Sequence, residues 1–447
     1  MTSLALDWRV ITDEALYLLQ SLLRIDTTNP PGNELVAARL LAEYLQRQGI
    51  ESEILESAQG RGNLICRLQG DGSKAPLLLN AHLDVVPANA AAWRYPPFSG
   101  EIAEGFLWGR GALDMKHMAA MSAVVLAQLK RSGVTLARDV IFTAVSDEEA
   151  GCTYGSKFLV EQHPEKVRAE YVLGEVGGFT MHFMGSRIYP IQIAEKGIAW
   201  LRMIAKGRPG HGSMPHGDNA VVKLSKAIAK IGKSRLPQHN TPVVESFLRR
   251  LAELQPLPLR VALPLLLRPE LSSLLLSSFP DGQLANSFKA LLSNTASPTV
   301  LRAGGSTNVI PDSAVAELDG RTLPGYDEQD LIKELTALVG EDLDFEVIRA
   351  ASPVESPEDP TVFAAIQRAI DVHDPGATAL PYMIPGFTDA KEFHKLGAKY
   401  YGFSPVQLPK GLRFTELYHG HNERIPVDGL RWGTRVLFDV VRELAGK

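Results

Sequence analysis

The stretch that decides the fold is LLLNAHLDVVP, residues 77–87. Three leucines and an asparagine lead through Ala81 to His82, and Asp84 follows two residues later. A short apolar run of this kind predicts a buried β-strand, whereas a histidine and an aspartate are costly to bury unless something pairs with them. His82 and Asp84 therefore either form ordinary hydrogen bonds at a strand end or belong to a site.

Further apolar runs alternate with helix-length segments around this strand. We predict strands at 63–70, 139–146 and 169–176, and helices at 118–133 and 154–163. Such alternation is typical of βαβ units around a mainly parallel, buried sheet. Ligands of these sheets bind beyond the carboxyl ends of the strands, and His82 lies just past such an end.

The pattern changes near residue 194 and changes back near residue 352. Between these points the order strand, helix, two strands, helix, strand predicts a smaller α+β unit of ferredoxin-like type. We therefore predict the fold class α/β, with a discontinuous α/β domain at 1–193 and 352–447 and an inserted domain at 194–351. A leucine- and proline-rich helical stretch at about 235–300 forms an insertion within the second domain.

Composition narrows the class of protein. The 447 residues are 45% hydrophobic and 22% charged, with a net charge of −5 and no basic cluster, which argues against nucleic acid as a partner. No apolar run reaches the ~18 residues of a membrane-spanning helix, and the first twenty residues carry charges where a signal peptide would be apolar. Cys66 and Cys152 are too few for a disulfide framework. We expect a cytoplasmic protein without a membrane partner.

Acidic and histidine residues recur after the predicted strands and in Gly-rich loops; they are His82, Asp114, Glu148, Glu149, Glu175 and His419. Two imidazoles and several carboxylates form a suitable ligand set for a divalent cation such as zinc. Each residue also has an ordinary alternative: Asp114 can cap a helix, Glu148 and Glu149 can begin a solvated helix, and His419 can be a surface histidine. Their common place at one edge of the sheet favours a metal site.

Seven motifs occur in a fixed order along the chain: AHLDVVP (81–87), GRGALDMK (109–116), SDEEAG (146–151), GHGSMPHGDNAV (210–221), STNVIP (306–311), DGRTLPG (319–325) and HGHNERI (419–425). With them the chain resembles the co-catalytic zinc metallopeptidase and deacylase family. That family includes aminoacylase, carboxypeptidase S, acetylornithine deacetylase, succinyl-diaminopimelate desuccinylase and the bacterial glutamate carboxypeptidase. The segment from PGFTDAKEF to YHGHNERI is most similar to the carboxypeptidase S and aminoacylase branch.

This resemblance implies two zinc ions per chain, with Co²⁺ or Mn²⁺ as substitutes. The implied ligands are His82 and Glu175 for one ion and Glu149 and His419 for the other, with Asp114 bridging both. The family's ligand histidine stands four residues before the glutamate of the NE pair, which favours His419 and leaves His421 as the alternative. A cis peptide bond between Asp114 and Met115 is also implied.

Catalytic roles follow from the same resemblance. It implies a metal-bound hydroxide as the nucleophile and Glu148, next to a ligand, as the general base that later protonates the leaving amine. Asp84 would orient the ring of His82 by accepting its other N–H group.

The inserted domain carries further implied residues. His211, with His216 as the lesser candidate, would donate a hydrogen bond to the tetrahedral oxyanion, often in the active site of the partner subunit of a homodimer. Asn308 would contact the substrate. Arg321 would hold the substrate carboxylate in a bidentate pair, and its alternative is an ordinary ion pair. Phe387 and Lys391 stand where many relatives have glycine or arginine, so recognition of this end of the substrate is left open.

The expected function is hydrolysis of the amide bond of an N-acyl amino acid or of a short peptide with a free carboxylate. A deacetylase or desuccinylase of a biosynthetic intermediate is the first alternative, and a non-catalytic binding protein on the same fold is a remote one. A serine hydrolase would need a G-x-S-x-G motif, and the sequence contains none.

Overall fold

The computed structural model describes residues 6–279 and 282–447. Unit 1 comprises Met1–Ile193, Ser356–Pro381 and Thr388–Lys447, and unit 2 comprises Ala194–Glu355 and Tyr382–Phe387. The predicted helical stretch at about 235–300 includes residues 280 and 281, and the first twenty residues, for which no signal peptide is predicted, include residues 1–5. Residues 1–5, 280 and 281 lie outside the described part of the chain. None of the helices in the described part of the chain is both long and apolar enough to cross a membrane.

Elements are numbered in chain order. The strands of unit 1, two of which continue into unit 2, are β1 Ser52–Ala58, β2 Arg61–Leu68, β3 Leu77–His82, β4 Glu101–Ala103, β5 Phe106–Trp108, β6 Val140–Val145, β7 Tyr171–Gly174, β8 Met181–Phe183, β9 Ser186–Glu195, β17 Thr378–Ile384, β18 Lys399–Gly402 and β19 Arg424–Pro426. Its helices are α1 Trp8–Leu23, α2 Glu34–Arg47, α3 Lys116–Ser132, α4 Ser156–Gln162, α5 Pro164–Val167, α12 Pro360–His373, α13 Ala390–His394, α14 Phe414–Leu417 and α15 Val427–Ala445.

A large sheet forms the centre of unit 1, in the order β1-β2-β6-β3-β7-β18-β9. The four central strands β6, β3, β7 and β18 pair in parallel, and the outer pairs are antiparallel. Every residue of β3, β6 and β7 is buried, as expected for parallel strands covered on both faces. The predicted α/β class with a mainly parallel sheet is confirmed.

Helices cover this sheet with apolar side chains. Helix α3 packs against α1, α15 and strand β3. Helices α4 and α13 share an apolar cluster with Leu78, Ile141 and Val172 of the central strands. Because β3, β6 and β7 are parallel, their carboxyl ends meet at one edge, where His82 pairs with Val145 in register.

Unit 2 contains a four-stranded antiparallel sheet in the order β12-β14-β10-β15. Its strands are β10 Gly197–Lys206, β11 Gly210–His211, β12 Thr295–Ala303, β13 Val309–Ile310, β14 Ser313–Thr322, β15 Leu343–Ala351 and β16 Val354–Glu355. Its helices are α6 Ala220–Lys233, α7 Pro242–Glu253, α8 Leu259–Leu265, α9 Pro269–Ser277, α10 Gly282–Leu292 and α11 Glu328–Val339. Helices α6 and α11 share one apolar cluster with the sheet, which includes Leu201, Leu224 and Leu331.

The predicted boundary at residue 193 coincides with the division between the units, and the predicted boundary at 351 lies four residues before it. Residues 382–387, expected in the discontinuous α/β domain, belong to unit 2 instead. Within unit 2 the Ile384 carbonyl accepts the N–H group of Lys196 at 3.2 Å, and Phe387 lies against Arg321. The resemblance also implies that the inserted domain acts as a lid and mediates dimerisation, and this role of unit 2 stays a prediction.

Candidate metal centre

Five of the predicted residues converge at the carboxyl edge of the unit 1 sheet. His82 is the last residue of β3, Glu149 lies in the turn after β6, and Glu175 directly follows β7. Asp114 lies between β5 and α3, and His419 follows α14. Chain segments that are far apart in sequence therefore supply this group.

The donor atoms form two groups that share one residue. In the first group, His82 Nε2 lies 3.1 Å from Asp114 Oδ1 and 3.5 Å from Glu175 Oε2. In the second group, His419 Nε2 lies 3.2 Å from Asp114 Oδ2 and 2.9 Å from Glu149 Oε2. The two oxygens of Asp114 thus face different histidines, and all donors of a group lie within 4.8 Å of one another.

These separations suit a tetrahedral cation. Two ligand atoms that each lie 2.0–2.1 Å from a tetrahedral zinc ion are about 3.3 Å apart, close to the 2.9–3.5 Å between the histidine nitrogens and the carboxylates. In addition, the buried Oε1 atom of Glu175 has no hydrogen-bond partner among the described residues. The residues present therefore fit a pair of divalent cations that share Asp114.

The ring of His82 also requires a positive charge beside it. Its Nδ1 atom lies 3.0 Å from the main-chain carbonyl oxygen of Asp84 and therefore donates its hydrogen there. In a neutral ring Nε2 is then an acceptor, yet it faces carboxylate oxygens, which are acceptors as well. Only a proton or a metal ion on Nε2 resolves this arrangement.

Burial and mutual repulsion dominate the electrostatics of the group. Burial raises the pKa of Glu175 to about 7 and the pKa of Glu149 to about 7, and the negative charge of Asp114 adds to both shifts. Hydrogen bonds to Asp114 and Glu149 raise the pKa of His419 to about 10. The two imidazoles thus supply the positive charge that a bound cation would otherwise supply.

Asp84 acts mainly on the turn that carries the two glutamates. Its carboxylate accepts the main-chain N–H groups of Glu148 and Glu149, each at 3.1 Å, and the side-chain amide of Asn29 at 2.8 Å. Its Oδ1 atom lies farther from His82 Nδ1, at 3.5 Å, than its main-chain carbonyl does. The main-chain carbonyl of Asp84 is therefore the nearer acceptor for the His82 ring, and the orienting role that the resemblance implies for Asp84 stays a prediction.

Glu148 is buried beside the two donor groups and belongs to neither. Burial raises its pKa well above the usual range, and the charge of Glu175 adds to this shift. This environment is typical of a carboxyl group that exchanges protons. The geometry is compatible with the general-base role, which stays a prediction.

Sequence reasoning missed a buried network behind Asp84. Asn29 bonds both Asp84 and Asp147, and its Oδ1 atom accepts a hydrogen bond from Arg61 at 2.7 Å. Arg61 in turn bonds Glu34 at 2.5 Å. The turn-rich segment DTTNPPGNE (26–34) was the available signal, but a single sequence does not indicate what such a loop contacts.

His419 rather than His421 joins the second donor group among the described residues. His419 and Asn422 both have a positive φ, 56° and 60°, and Asp147 has φ 66°. Such angles are uncommon outside glycine and concentrate at functional sites. The peptide bond between Asp114 and Met115 is cis, as the resemblance implied.

The remaining predicted residues lie in unit 2. Strand β11 carries His211 and pairs with β13, and the carbonyl of Asn308 accepts the N–H group of Gly212 at 2.7 Å. His211 is exposed, and its Nδ1 atom lies 2.8 Å from the hydroxyl of Ser213. Neither ring nitrogen of His216 has a hydrogen-bond partner among the described residues.

Arg321 forms an ion pair within its own strand. Its Nε atom donates to Asp319 at 2.7 Å, and its guanidinium lies 5.7 Å from the ring centre of Phe387. Its buried Nη1 atom has no partner among the described residues. The ion pair that was the ordinary alternative is present, and the Nη1 edge of the guanidinium still has donor capacity.

The chain matches a family model described as peptidase family M20/M25/M40 over residues 78–443. All five predicted metal ligands and Glu148 lie inside this range. It also covers most of unit 1 and all of unit 2.

Curated relatives are similar over most of their length. The N-fatty-acyl-amino acid synthase/hydrolase PM20D1 of Xenopus tropicalis is 29% identical over 429 residues, which cover 92% of this chain and 82% of the relative. Aminoacylase-1 of Mus musculus is 27% identical over 446 residues, with 96% and 94% covered. The crystal structure of an M20 family metallo-carboxypeptidase from Sulfolobus solfataricus superimposes with a TM-score of 0.69 at 19% identity, covering 96% of this chain and 99% of that one, and supports the fold.

Proposed function

Because the chain belongs to peptidase family M20/M25/M40 and is a metal-dependent hydrolase of amide bonds, we propose that it cleaves N-acyl amino acids with an apolar acyl group and a free α-carboxylate. The observation that carries the proposal is the division of five donor residues into two groups that share Asp114. The acyl-amino acid activities named for two relatives support the substrate class.

Two zinc ions per chain are the proposed cofactor. His82 and Glu175 would hold one, Glu149 and His419 the other, and Asp114 both. Two imidazole nitrogens and three carboxylates are ligands that zinc accepts. When bound, such cations polarise the scissile carbonyl group and acidify water.

The protein residues supply the proton transfers and the orientation. Glu148 takes the proton of the attacking water and later gives it to the leaving amine. Asp84 keeps the turn of Glu148 in place through the main-chain hydrogen bond at 3.1 Å. A carboxyl group held by its own backbone needs little reorganisation during the reaction.

Arg321 is the proposed anchor for the free carboxylate of the substrate. Its Asp319 partner fixes the guanidinium plane, and its unpartnered Nη1 atom leaves a donor for a second acceptor. His211 and Asn308 are the proposed polar contacts to the developing oxyanion and to the substrate.

The proposal is tested by steady-state hydrolysis of three sets of substrates. They are the N-acetyl, N-octanoyl and N-oleoyl derivatives of leucine and phenylalanine, the methyl esters of these compounds, and dipeptides. We expect the free acids with the longer acyl chains to give the highest kcat/KM. Arg321→Gln should raise KM for the acids and leave the methyl esters unchanged. Arg202→Gln, on the neighbouring strand β10 and paired with Glu346, is the matched control. Equal cleavage of acids and esters by the wild type would contradict the carboxylate anchor.

We also propose a homodimer through unit 2. Strands β12 and β15 form the edges of its sheet, and Leu301, Val347 and Ile348 on these strands are exposed. Unpaired apolar edges favour association. Sedimentation equilibrium of the wild type and of Leu301→Lys, a variant of strand β12, tests the dimer. A wild-type monomer would contradict the dimer. A variant that dimerises as tightly as the wild type would contradict association through the β12 edge.

A further inference from the structure

Glu423 lies at the junction of two loops that carry candidate ligands. Its side chain is fully buried. Its Oε1 atom accepts the main-chain N–H groups of Leu113 at 2.7 Å and Asp114 at 3.0 Å. Its Oε2 atom accepts Gly111 N–H at 3.0 Å and the guanidinium of Arg110 at 2.8 Å. One carboxylate thus receives four hydrogen bonds from residues 110–114.

The same contact fixes the loop of His419. Glu423 follows His419 by four residues. The main-chain carbonyl of Glu423 accepts Gly109 N–H at 3.0 Å, and Arg110 donates to the carbonyl of Gly420 at 2.9 Å. Residues 109–114 and the loop of His419 are therefore bonded to each other at Gly420 as well as at Glu423.

This arrangement needs a carboxylate. An ionised carboxyl group is an acceptor at both oxygens, so it satisfies all four donors, and hydrogen bonds to a charged acceptor are about twice as strong as neutral ones. Glutamine has the same shape but presents an NH₂ group to two of those donors. That mismatch would fall on the backbone of Asp114 or of Gly111.

Asp114 is the residue whose direction matters most, because both donor groups use it. Its two oxygens face His82 and His419 at 3.1 and 3.2 Å. A shift of its backbone would disturb both groups at once, whereas a shift of Glu149 or Glu175 would disturb one.

We propose that Glu423 is a positioning residue that aligns the shared ligand Asp114 with His419, so that both cation sites depend on it. This inference rests on the proposed two-cation centre. Glu423 holds the backbone of Asp114 through the Asp114 N–H group and belongs to neither donor group. It makes the affinity of both sites depend on a contact between residues 110–114 and the last 25 residues of the chain.

Cobalt binding distinguishes this role from a merely structural one. We would load metal-free wild type, Glu423→Gln, Glu423→Asp and Asp374→Asn with Co²⁺ and record the visible absorption spectrum and the affinity by chelator competition. Asp374 is a matched control, since it is a buried carboxylate of unit 1 that accepts bonds from Arg187 and Tyr189. Circular dichroism and Tm of the metal-free proteins report folding.

We expect Glu423→Gln to lower the affinity of both sites for Co²⁺ by about 10- to 100-fold, as loss of a residue that orients metal ligands does. The variant should also have an altered cobalt spectrum. Glu423→Asp should recover part of the affinity, and Asp374→Asn should lower Tm alone. Wild-type affinity and spectrum in Glu423→Gln would overturn the proposal. If that variant does not fold, wild-type binding by Glu423→Asp would overturn it as well. A wild type that binds no cobalt would instead refute the two-cation centre itself.

Discussion

The carboxylate of Asp84 accepts the main-chain N–H group of Glu148 at 3.1 Å. This bond joins the end of β3 to the turn after β6, two neighbouring parallel strands. The other oxygen of the same carboxylate accepts the N–H group of Glu149. One buried acid therefore positions both the candidate base and a candidate ligand.

Replacing Asp84 with asparagine should lower kcat by about 10- to 100-fold with a smaller effect on KM. The asparagine NH₂ group would face the N–H group of Glu148 or Glu149, which misplaces the turn and leaves a donor unpaired. Steady-state kinetics with metal analysis measure the effect. Asp374→Asn is the control, and an unchanged kcat would remove Asp84 from the positioning of the turn.

Replacing Glu148 with glutamine should abolish most turnover and leave the bound metal almost unchanged. Loss of a general base costs about 10²–10⁴-fold in rate, and Glu148 belongs to neither donor group. Parallel assays of kcat and metal per chain test both parts. Retained activity, or a loss of metal equal to the loss of activity, would show that the residue has another role.

Removal of bound metal should lower Tm as well as activity. A cation that binds only the folded state stabilises it by about 2.7 kcal/mol at a free concentration 100 times its Kd. Calorimetry before and after chelation, followed by back-titration with Zn²⁺, measures this. We expect two equivalents per chain to restore Tm; a curve that saturates without any shift in Tm would contradict binding at a buried site.

Variants of His419 and His421 should show which of the two histidines is a metal ligand. His419→Ala should reduce bound zinc from two ions to about one per chain, because the second group then keeps only carboxylates. His421→Ala, in the same loop, is the matched control and should keep both ions and full activity. The reverse result would transfer the ligand role to His421.

Lys196 should make the stability of unit 2 depend on pH. Burial, aided by the charge of Arg321, lowers its pKa from 10.5 to about 7, and its Nζ atom donates to the Ser293 carbonyl at 2.7 Å. Between these values the folded state binds fewer protons than the unfolded state, so stability rises with pH.

Relative to Lys196→Met, the unfolding free energy of the wild type should therefore rise between about pH 7 and pH 10, by at most about 1.4 kcal/mol per pH unit. Urea unfolding followed by tryptophan fluorescence measures the difference; Trp200 is the tryptophan of unit 2, and the other four lie in unit 1. A constant difference across this range would mean that Lys196 stays charged in the folded protein.

Apolar periodicity predicted the central strands and most helices, because each of these patterns is local. Examples are the buried apolar runs of β3 and β6, and the helix predicted at 118–133, which is observed as α3 at Lys116–Ser132. The assignment of residues 382–387 to unit 2 was not predictable in this way, since it depends on contacts such as the one between Phe387 and Arg321.

The sequence alone determined which residues could carry chemistry and in what order they occur. It also determined the parallel strands that place His82, Glu149 and Glu175 at one edge of the sheet. Tertiary structure decided which oxygen of Asp114 faces which histidine, that His82 donates to a carbonyl, and that Glu423 holds a loop more than 300 residues earlier in the chain. Hydrogen bonds between such distant segments leave no periodic pattern, because their geometry exists only after the chain has folded.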